Sequence, residues 1–331
     1  MKALAFWQHG GPEVLRVVDD WPEPHAAEGE IVVQVATCGL NQADVFSRRG
    51  MPGMPIDLPH ISGADVAGRV VALGKGVSGP AIGTRVVVDP RIGGLAGSLG
   101  YPSQGGLCER ISLPAGNVIP LPDEVSFDDA SALPVAYGTA HKMVYDRGKI
   151  RPGESVVVLG ASGGVGTACV QLAKQVGATV IAVSGSPKKL ELLRKIGADE
   201  ALCADGSEFA PEAWSLTGRR GADVIIDFTG ATSWAGTIRS AAKGGRILVC
   251  GATSGYEAVT DLRFVWTREL SILGCSGWTR AGILSLVDLV NRGELTPVID
   301  RVVPLADLAE AYVAMENREV FGKIIAKIAN I

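Results

Sequence analysis

At 331 residues the chain is long enough for two domains. With 47% hydrophobic and 20% charged residues it has the composition of a folded globular protein, which excludes a disordered or collagen-like chain. A net charge of −4 without a basic stripe argues against nucleic acid as a partner. No apolar run reaches the roughly 18 residues that span a bilayer. Met1 to Phe6 runs into a strand-like pattern without the apolar core of a secretory leader, so a cytoplasmic location with no membrane partner is expected.

The first third reads as β-rich. Ile31 to Val35, Val66 to Ala72 and Thr84 to Val88 are strands, punctuated by glycine and proline at the short spacing of a small antiparallel barrel. Asp89 to Gly106 reads as loop, and its part from Ile92 to Gln104 is expected to shape the substrate pocket. Ser126 with Asp129 three residues on marks a helix start, and one or two helices run from there towards Arg147.

From Ser155 the pattern changes. Ser155 to Leu159 is a continuous apolar run, as in a parallel strand buried on both faces. Strands at Thr179–Val183, Asp223–Asp227, Arg246–Cys250 and Leu270–Leu273 then alternate with helices at Gly166–Val176, from Pro187 to Gly197, and at Ala235–Ala242. This alternation predicts right-handed βαβ crossovers and a doubly wound parallel sheet of Rossmann type. A helix (Ala281–Arg292), a strand (Asp300–Val303), a helix (Leu305–Asn317) and a last strand (Lys323–Ile328) complete the chain.

The turn between the first Rossmann strand and its helix reads Ala161-Ser162-Gly163-Gly164-Val165-Gly166, a dinucleotide fingerprint with alanine in the first glycine position. Glycine at 163 lets backbone approach a pyrophosphate, and Gly166 permits close helix–strand packing. The helix N-terminus offers unpaired N–H groups and a positive dipole. About twenty residues on, where an NAD site carries Asp or Glu, the chain reads Val183-Ser184-Gly185-Ser186-Pro187-Lys188-Lys189. No carboxylate stands in that stretch. Ser184, Ser186, Lys188 and Lys189 are available for a 2′-phosphate, so NADPH is the expected cofactor; solvated helix surface is the competing reading of the two lysines.

These features come together with Asn41-Gln42-Ala43-Asp44, Gly63-Ala64-Asp65-Val66-Ala67-Gly68, Ala132-Leu133-Pro134, Ile196-Gly197-Ala198-Asp199, Gly244-Gly245-Arg246 and Phe321-Gly322-Lys323. Over nearly its whole length the chain resembles the medium-chain dehydrogenase/reductase superfamily. The resemblance implies an α/β chain in which a GroES-like partial β-barrel (1–127 and 277–331) carries the catalytic residues and a Rossmann domain (128–276) binds NADP. It also implies hydride transfer from nicotinamide C4 to a small-molecule substrate in a cleft between the domains, and a homodimer through the Rossmann edge Leu270–Cys275, which would cover an open strand edge.

In zinc members of the family, the positions matching Asn41, Ala64 and Val135 hold Cys, His and Cys, and Asp65 matches a neighbouring Glu. An amide, a methyl and an isopropyl group are not zinc ligands, and only Cys108 follows Asp89-Pro90 where a second zinc would need four cysteines. No metal is therefore expected. The six cysteines read as reduced thiols, and the histidines His9, His25, His60 and His141 form no pair or triad. Asn at the first ligand position resembles the quinone oxidoreductase branch, while Asp261-Leu262-Arg263 and Ser271-Ile272-Leu273-Gly274 resemble zinc-type alcohol dehydrogenases that have lost their metal.

By resemblance, Asn41 and Gln42 lie at the cleft and donate to a developing oxyanion, or else tie loop backbone together. Tyr137 is a candidate proton donor or a packing residue. Thr139 is placed by the nicotinamide, Gly251-Ala252-Thr253 and Gly274-Cys275 hold its carboxamide, and Lys323 joins the cofactor set. Trp278 walls the substrate pocket or lies at the subunit contact. Without a Lewis acid the favoured acceptor is a quinone or conjugated enone, which spreads the incoming charge onto a distant oxygen. A metal-free alcohol dehydrogenase and a non-catalytic NADPH-binding protein are the alternatives.

Overall fold

The computed structural model describes residues 1–50, 55–92 and 97–331. Residues 93–96 of the expected pocket loop lie outside the described residues. The chain forms two compact units, Met1–Ala136 with Ile283–Ile331, and Tyr137–Gly282.

The first unit opens with a small hairpin, β1 (Ala3–Ala5) and β2 (Arg16–Val18). Then follow β3 (Glu30–Gly39), α1 (Gln42–Arg49), β4 (Asp65–Leu73), β5 (Arg85–Val88), β6 (Arg110–Pro114), β7 (Val118–Pro120) and α2 (Phe127–Ala132). The three predicted strands are present, each within a few residues of its expected bounds. The helix α1 is additional to the elements the sequence pattern predicts; its capping box, Asn41 with Asp44, is what starts it. At α2 the expected Ser126 cap is made, Oγ accepting from the Asp129 amide at 3.0 Å. The helical run continues to Arg147 through two wide turns, Leu133–Tyr137 and Lys142–Arg147, enclosing α3 (Gly138–His141).

The second unit is built on β8 (Ser155–Val158), α4 (Gly164–Val176), β9 (Thr179–Ser184), α5 (Leu190–Lys195), β10 (Glu200–Cys203), α6 (Ala210–Leu216), β11 (Ala222–Ile226), α7 (Trp234–Ser240), β12 (Ala241–Val249), α8 (Leu262–Thr267) and β13 (Ser271–Gly274). The six strands pair only in parallel, in the order β10-β9-β8-β11-β12-β13. This is the doubly wound Rossmann order. All four residues of β8 are buried, as its unbroken apolar run requires. The short β10, Glu-Ala-Leu-Cys, escapes the pattern reading because four residues with a glutamate carry almost no period, and the seven residues of α6 make only about two turns.

The chain ends with α9 (Arg280–Asn291), β14 (Ile299–Pro304), α10 (Leu308–Glu316) and β15 (Lys323–Lys327). The last two strands join the sheet of the first unit, in the order β14-β15-β3-β4-β5-β7, with β6 also on β3. Among the described strands only β14 and β15 run parallel there. Its core includes Ile31, Val33, Val66, Val86, Leu107 and Ile324. The core under the Rossmann sheet includes Val157, Ile181, Ile225, Ile238 and Ile247.

Candidate cofactor site and buried charge cluster

Parallel strands end on the same side of their sheet, so the loops after β8, β9, β10, β11, β12 and β13 all leave the second unit along one edge. The candidate cofactor residues Ala161 to Gly166, Ser184 to Lys189, Gly251 to Thr253 and Gly274-Cys275 lie in these loops or at the strand and helix ends that flank them. The turn after β8 is pinned at both ends. Ala161 N donates to Val183 O at 3.0 Å and Gly163 N to Gly160 O at 3.1 Å. Gly163 is the N-cap of α4 with φ −83° and ψ 176°, and no side chain caps the helix. The first N–H groups of a helix have no partner within it, so α4 presents its own to whatever lies above the turn.

The glycines of this turn have different causes. A Cβ on Gly166 would lie 2.4 Å from Gly160 O and 2.6 Å from Ala161 Cα, so packing alone demands glycine there. A Cβ on Gly163 would meet only Gly160 O, at 3.7 Å. Among the described residues nothing forbids a side chain at 163. The cradle it leaves open fits a pyrophosphate lying against the turn and the end of α4.

The second half of the fingerprint meets the first. Ser184 Oγ, at the end of β9, lies 3.4 Å from Ser162 Oγ, and Ser186 N donates to Ser184 Oγ at 3.3 Å. Lys188 is exposed and Lys189 buried. A carboxylate arrives from outside the stretch 183–189: Asp205, on the turn after β10, holds Oδ1 2.6 Å from where a Cβ on Gly185 would be. After β11, the buried Asp227 accepts from Thr229 N, Gly230 N, Ser233 Oγ and Thr237 Oγ1, the last at 2.6 Å, and so fixes the loop into α7. Beyond β13, Arg147 Nε donates to Gly274 O and Lys142 Nζ to Ser276 O. Thr139, Cys275 and Trp278 are buried in this unit, and burial raises the Cys275 thiol. Tyr137 is fully buried, its hydroxyl donating to Gln171 Oε1 at 2.7 Å.

In the first unit, Asn41, Asp65 and Lys323 form one buried cluster. Lys323 Nζ donates to Leu40 O at 2.6 Å, Asn41 Oδ1 at 2.7 Å and Asp65 Oδ2 at 2.9 Å, which uses all three ammonium protons. Asn41 Nδ2 donates to Asp65 Oδ2 at 2.8 Å and Gly39 O at 3.3 Å, and Val135 N reaches Asp65 Oδ1 at 2.8 Å. Asn41 therefore has no amide proton left over, and Lys323 none for a phosphate. Gln42, first residue of α1, is exposed. Beside them the buried Asp44 accepts from Asn41 N at 2.7 Å and Gly63 N at 3.1 Å; burial pushes its carboxyl up to about 6.

Zinc does not fit this donor set. The carboxylate of Asp65 already accepts from an ammonium, an amide and a backbone N–H, and Ala64 and Val135 bring only hydrocarbon. Among the described residues no three His, Cys, Asp or Glu side chains come together as a metal site. Also among them, no helix is long and apolar enough to cross a membrane.

Residues 27–123 match the family model of the alcohol dehydrogenase GroES-like domain, and residues 164–292 that of zinc-binding dehydrogenases. The quinone oxidoreductase of Rattus norvegicus is 31% identical over 321 residues, covering 94% of this chain and 93% of the relative. Among solved structures, an NAD-dependent alcohol dehydrogenase superposes with a TM-score of 0.92 at 38% identity, covering 99% of this chain and all of the other. The quinone oxidoreductase from Coxiella burnetii gives 0.83 at 26% identity, with 99% of each chain covered.

Proposed function

Since the chain belongs to the medium-chain dehydrogenase/reductase superfamily, whose members are oxidoreductases that use pyridine nucleotides, we propose that it reduces a quinone or α,β-unsaturated carbonyl compound with NADPH and without a metal ion. The observation that carries the reading is the cradle at Gly163, open above and backed by the uncapped start of α4. A bound reduced nicotinamide would supply the hydride; the chain's residues bind and orient it. Ala161 to Gly166 take the pyrophosphate, and Ser184, Ser186, Lys188 and Lys189 take the 2′-phosphate. Thr139, Gly251 to Thr253 and Gly274-Cys275 position the nicotinamide end.

Without a Lewis acid, the hydride must go to a carbon whose incoming charge spreads over a conjugated system. Gln42 is the donor we assign to the oxygen that receives this charge, because the residue is exposed whereas the amide protons of Asn41 are consumed. We assign Trp278 to the wall of the substrate pocket. The protein is read as a cytoplasmic homodimer joined along β13.

The test is loss of NADPH absorbance with a quinone, an enone and a simple ketone in parallel. Turnover of the first two but not the third is expected. Turnover of the ketone alone would favour a metal-free alcohol dehydrogenase or carbonyl reductase, a second reading supported by the 38% identity to an NAD-dependent alcohol dehydrogenase. Tight NADPH binding without any turnover would reduce the role to nucleotide binding. Lys189→Ala should weaken NADPH far more than NADH; equal weakening removes Lys189 from the 2′-phosphate.

A further inference from the structure

We propose that Asp205 is the residue that limits discrimination between NADPH and NADH, by taking a hydroxyl of the adenosine ribose from the neighbouring strand. The proposal rests on the pyridine nucleotide reading above.

In a Rossmann unit the carboxylate that takes the ribose 2′-OH sits at the end of the second strand, here β9. That position carries Ser184-Gly185 and no acid. The structure supplies the acid from the third strand instead. β10 pairs with β9 in parallel up to Cys203 opposite Ser184, and Ala204 N still donates to Ser184 O at 3.2 Å. Asp205 is the next residue, so it emerges beside Gly185. Its Oδ1 comes within 2.6 Å of the Cβ position that glycine leaves empty. Any side chain at 185 would push the carboxylate aside.

The turn that carries Asp205 is fixed. Gly206 has φ +52°, and a Cβ on it would lie 2.9 Å from Thr232 O. Glu208 N donates to Asp205 O at 3.1 Å, and Ser207 Oγ to Thr232 O at 3.0 Å. The carboxylate is exposed, on the same strand-end edge as Ser184, which touches Ser162 of the phosphate turn.

This puts an anion where a ribose substituent is sorted. A carboxylate accepts a hydrogen bond from a 2′-hydroxyl and repels a 2′-phosphate. Lys188 and Lys189 act the other way. The sign of the preference is set by the two lysines and its size is held down by Asp205.

The experiment is direct titration of wild type, Asp205→Asn and Glu208→Gln with NADH and with NADPH, following nicotinamide fluorescence at fixed ionic strength. Asp205→Asn should move the ratio of dissociation constants towards NADPH by on the order of tenfold, through weaker NADH and tighter NADPH. Glu208→Gln removes the same charge from the same turn and should leave the ratio within about twofold. An unchanged ratio in Asp205→Asn, or an equal shift in both variants, overturns the proposal. If wild type binds neither nucleotide, the cofactor reading itself fails, and this proposal fails with it.

Discussion

Lys323 Nζ and Asp65 Oδ2 lie 2.9 Å apart, at the first residues of β15 and β4, with both side chains shut off from water. The strand between them, β3, leads directly into Leu40 and Asn41, whose oxygens complete the ammonium's partners. One ion pair therefore pins three adjacent strand ends. A buried pair of this kind is not a large net stabiliser, but removing one partner strands the other charge. Lys323→Met should cost about 3–5 kcal/mol in denaturant unfolding. Adding Asp65→Asn to it should restore much of that loss; a double variant no better than the single one would show that the strand ends do not depend on charge balance.

The same cluster predicts the metal content. Purified protein should carry no stoichiometric zinc by elemental analysis, and a chelator should leave nucleotide binding and turnover unchanged. One zinc per chain would mean that Asp65 is not committed to Lys323 in solution.

The two glycines of the phosphate turn should separate binding from stability. Gly163→Val places its side chain where only Gly160 O is near, so unfolding should shift little while NADPH affinity falls by a hundredfold or so. Gly166→Ala meets backbone at 2.4 Å and should cost on the order of 1–3 kcal/mol. Calorimetric melts and nucleotide titrations of both variants check this. Equal stability losses would make Gly163 a packing residue as well.

The glycine turn was legible in the sequence because its job is local: strand, turn and helix follow one another within a dozen residues. The doubly wound sheet was legible too, since each apolar run of β8, β11 and β12 is long enough to show. What stayed hidden depends on pairing across the chain. Asp205 is 20 residues from Gly185 and becomes its neighbour only through the β9–β10 register. Lys323 read as a cofactor residue from its motif, yet it closes a charge cluster with a residue 258 positions away. Asn41 and Tyr137 carry the right groups for donors, but their protons are taken up by Asp65, Gly39 and Gln171. Side-chain commitment of this sort is tertiary information, and no spacing rule contains it.

Asp44 gives the fold a pH signature. Burial raises its carboxyl from 3.8 to about 6; hydrogen bonds from the Asn41 and Gly63 amides and the charge of Lys323 pull the other way, while Asp65 adds to the rise. The folded protein then keeps a proton that the unfolded chain has released. Stability from this group falls as pH rises from about 4 to about 6 and is constant above, a change on the order of 3 kcal/mol. Urea unfolding of wild type and Asp44→Asn at several pH values isolates it. The wild-type stability minus that of the variant should decline over that window; a flat difference would place the Asp44 proton in the ordinary carboxylate range, and a rising one below it.

The open edge of the Rossmann sheet yields the last prediction. Among the described residues β13 pairs only with β12, so no described strand lies along its outer N–H and C=O groups. The chain leading to it exposes apolar side chains: Val259 is 93% exposed, Leu262 63% and Trp266 64%, and Ile272 within the strand is 44% exposed. In the homodimer proposed above, a second copy of this edge, running antiparallel about a twofold axis, would satisfy the outer backbone groups and cover Ile272. Charge placed at the centre of such an interface is costly, whereas charge at its margin is tolerated. Ile272→Lys should therefore convert a dimer to a monomer in sedimentation or light-scattering measurements. Val17→Lys, on the exposed face of the first unit's hairpin, should leave the mass unchanged. A wild-type protein that is monomeric at micromolar concentration, or a dimer indifferent to Ile272→Lys, would leave the edge to some other partner.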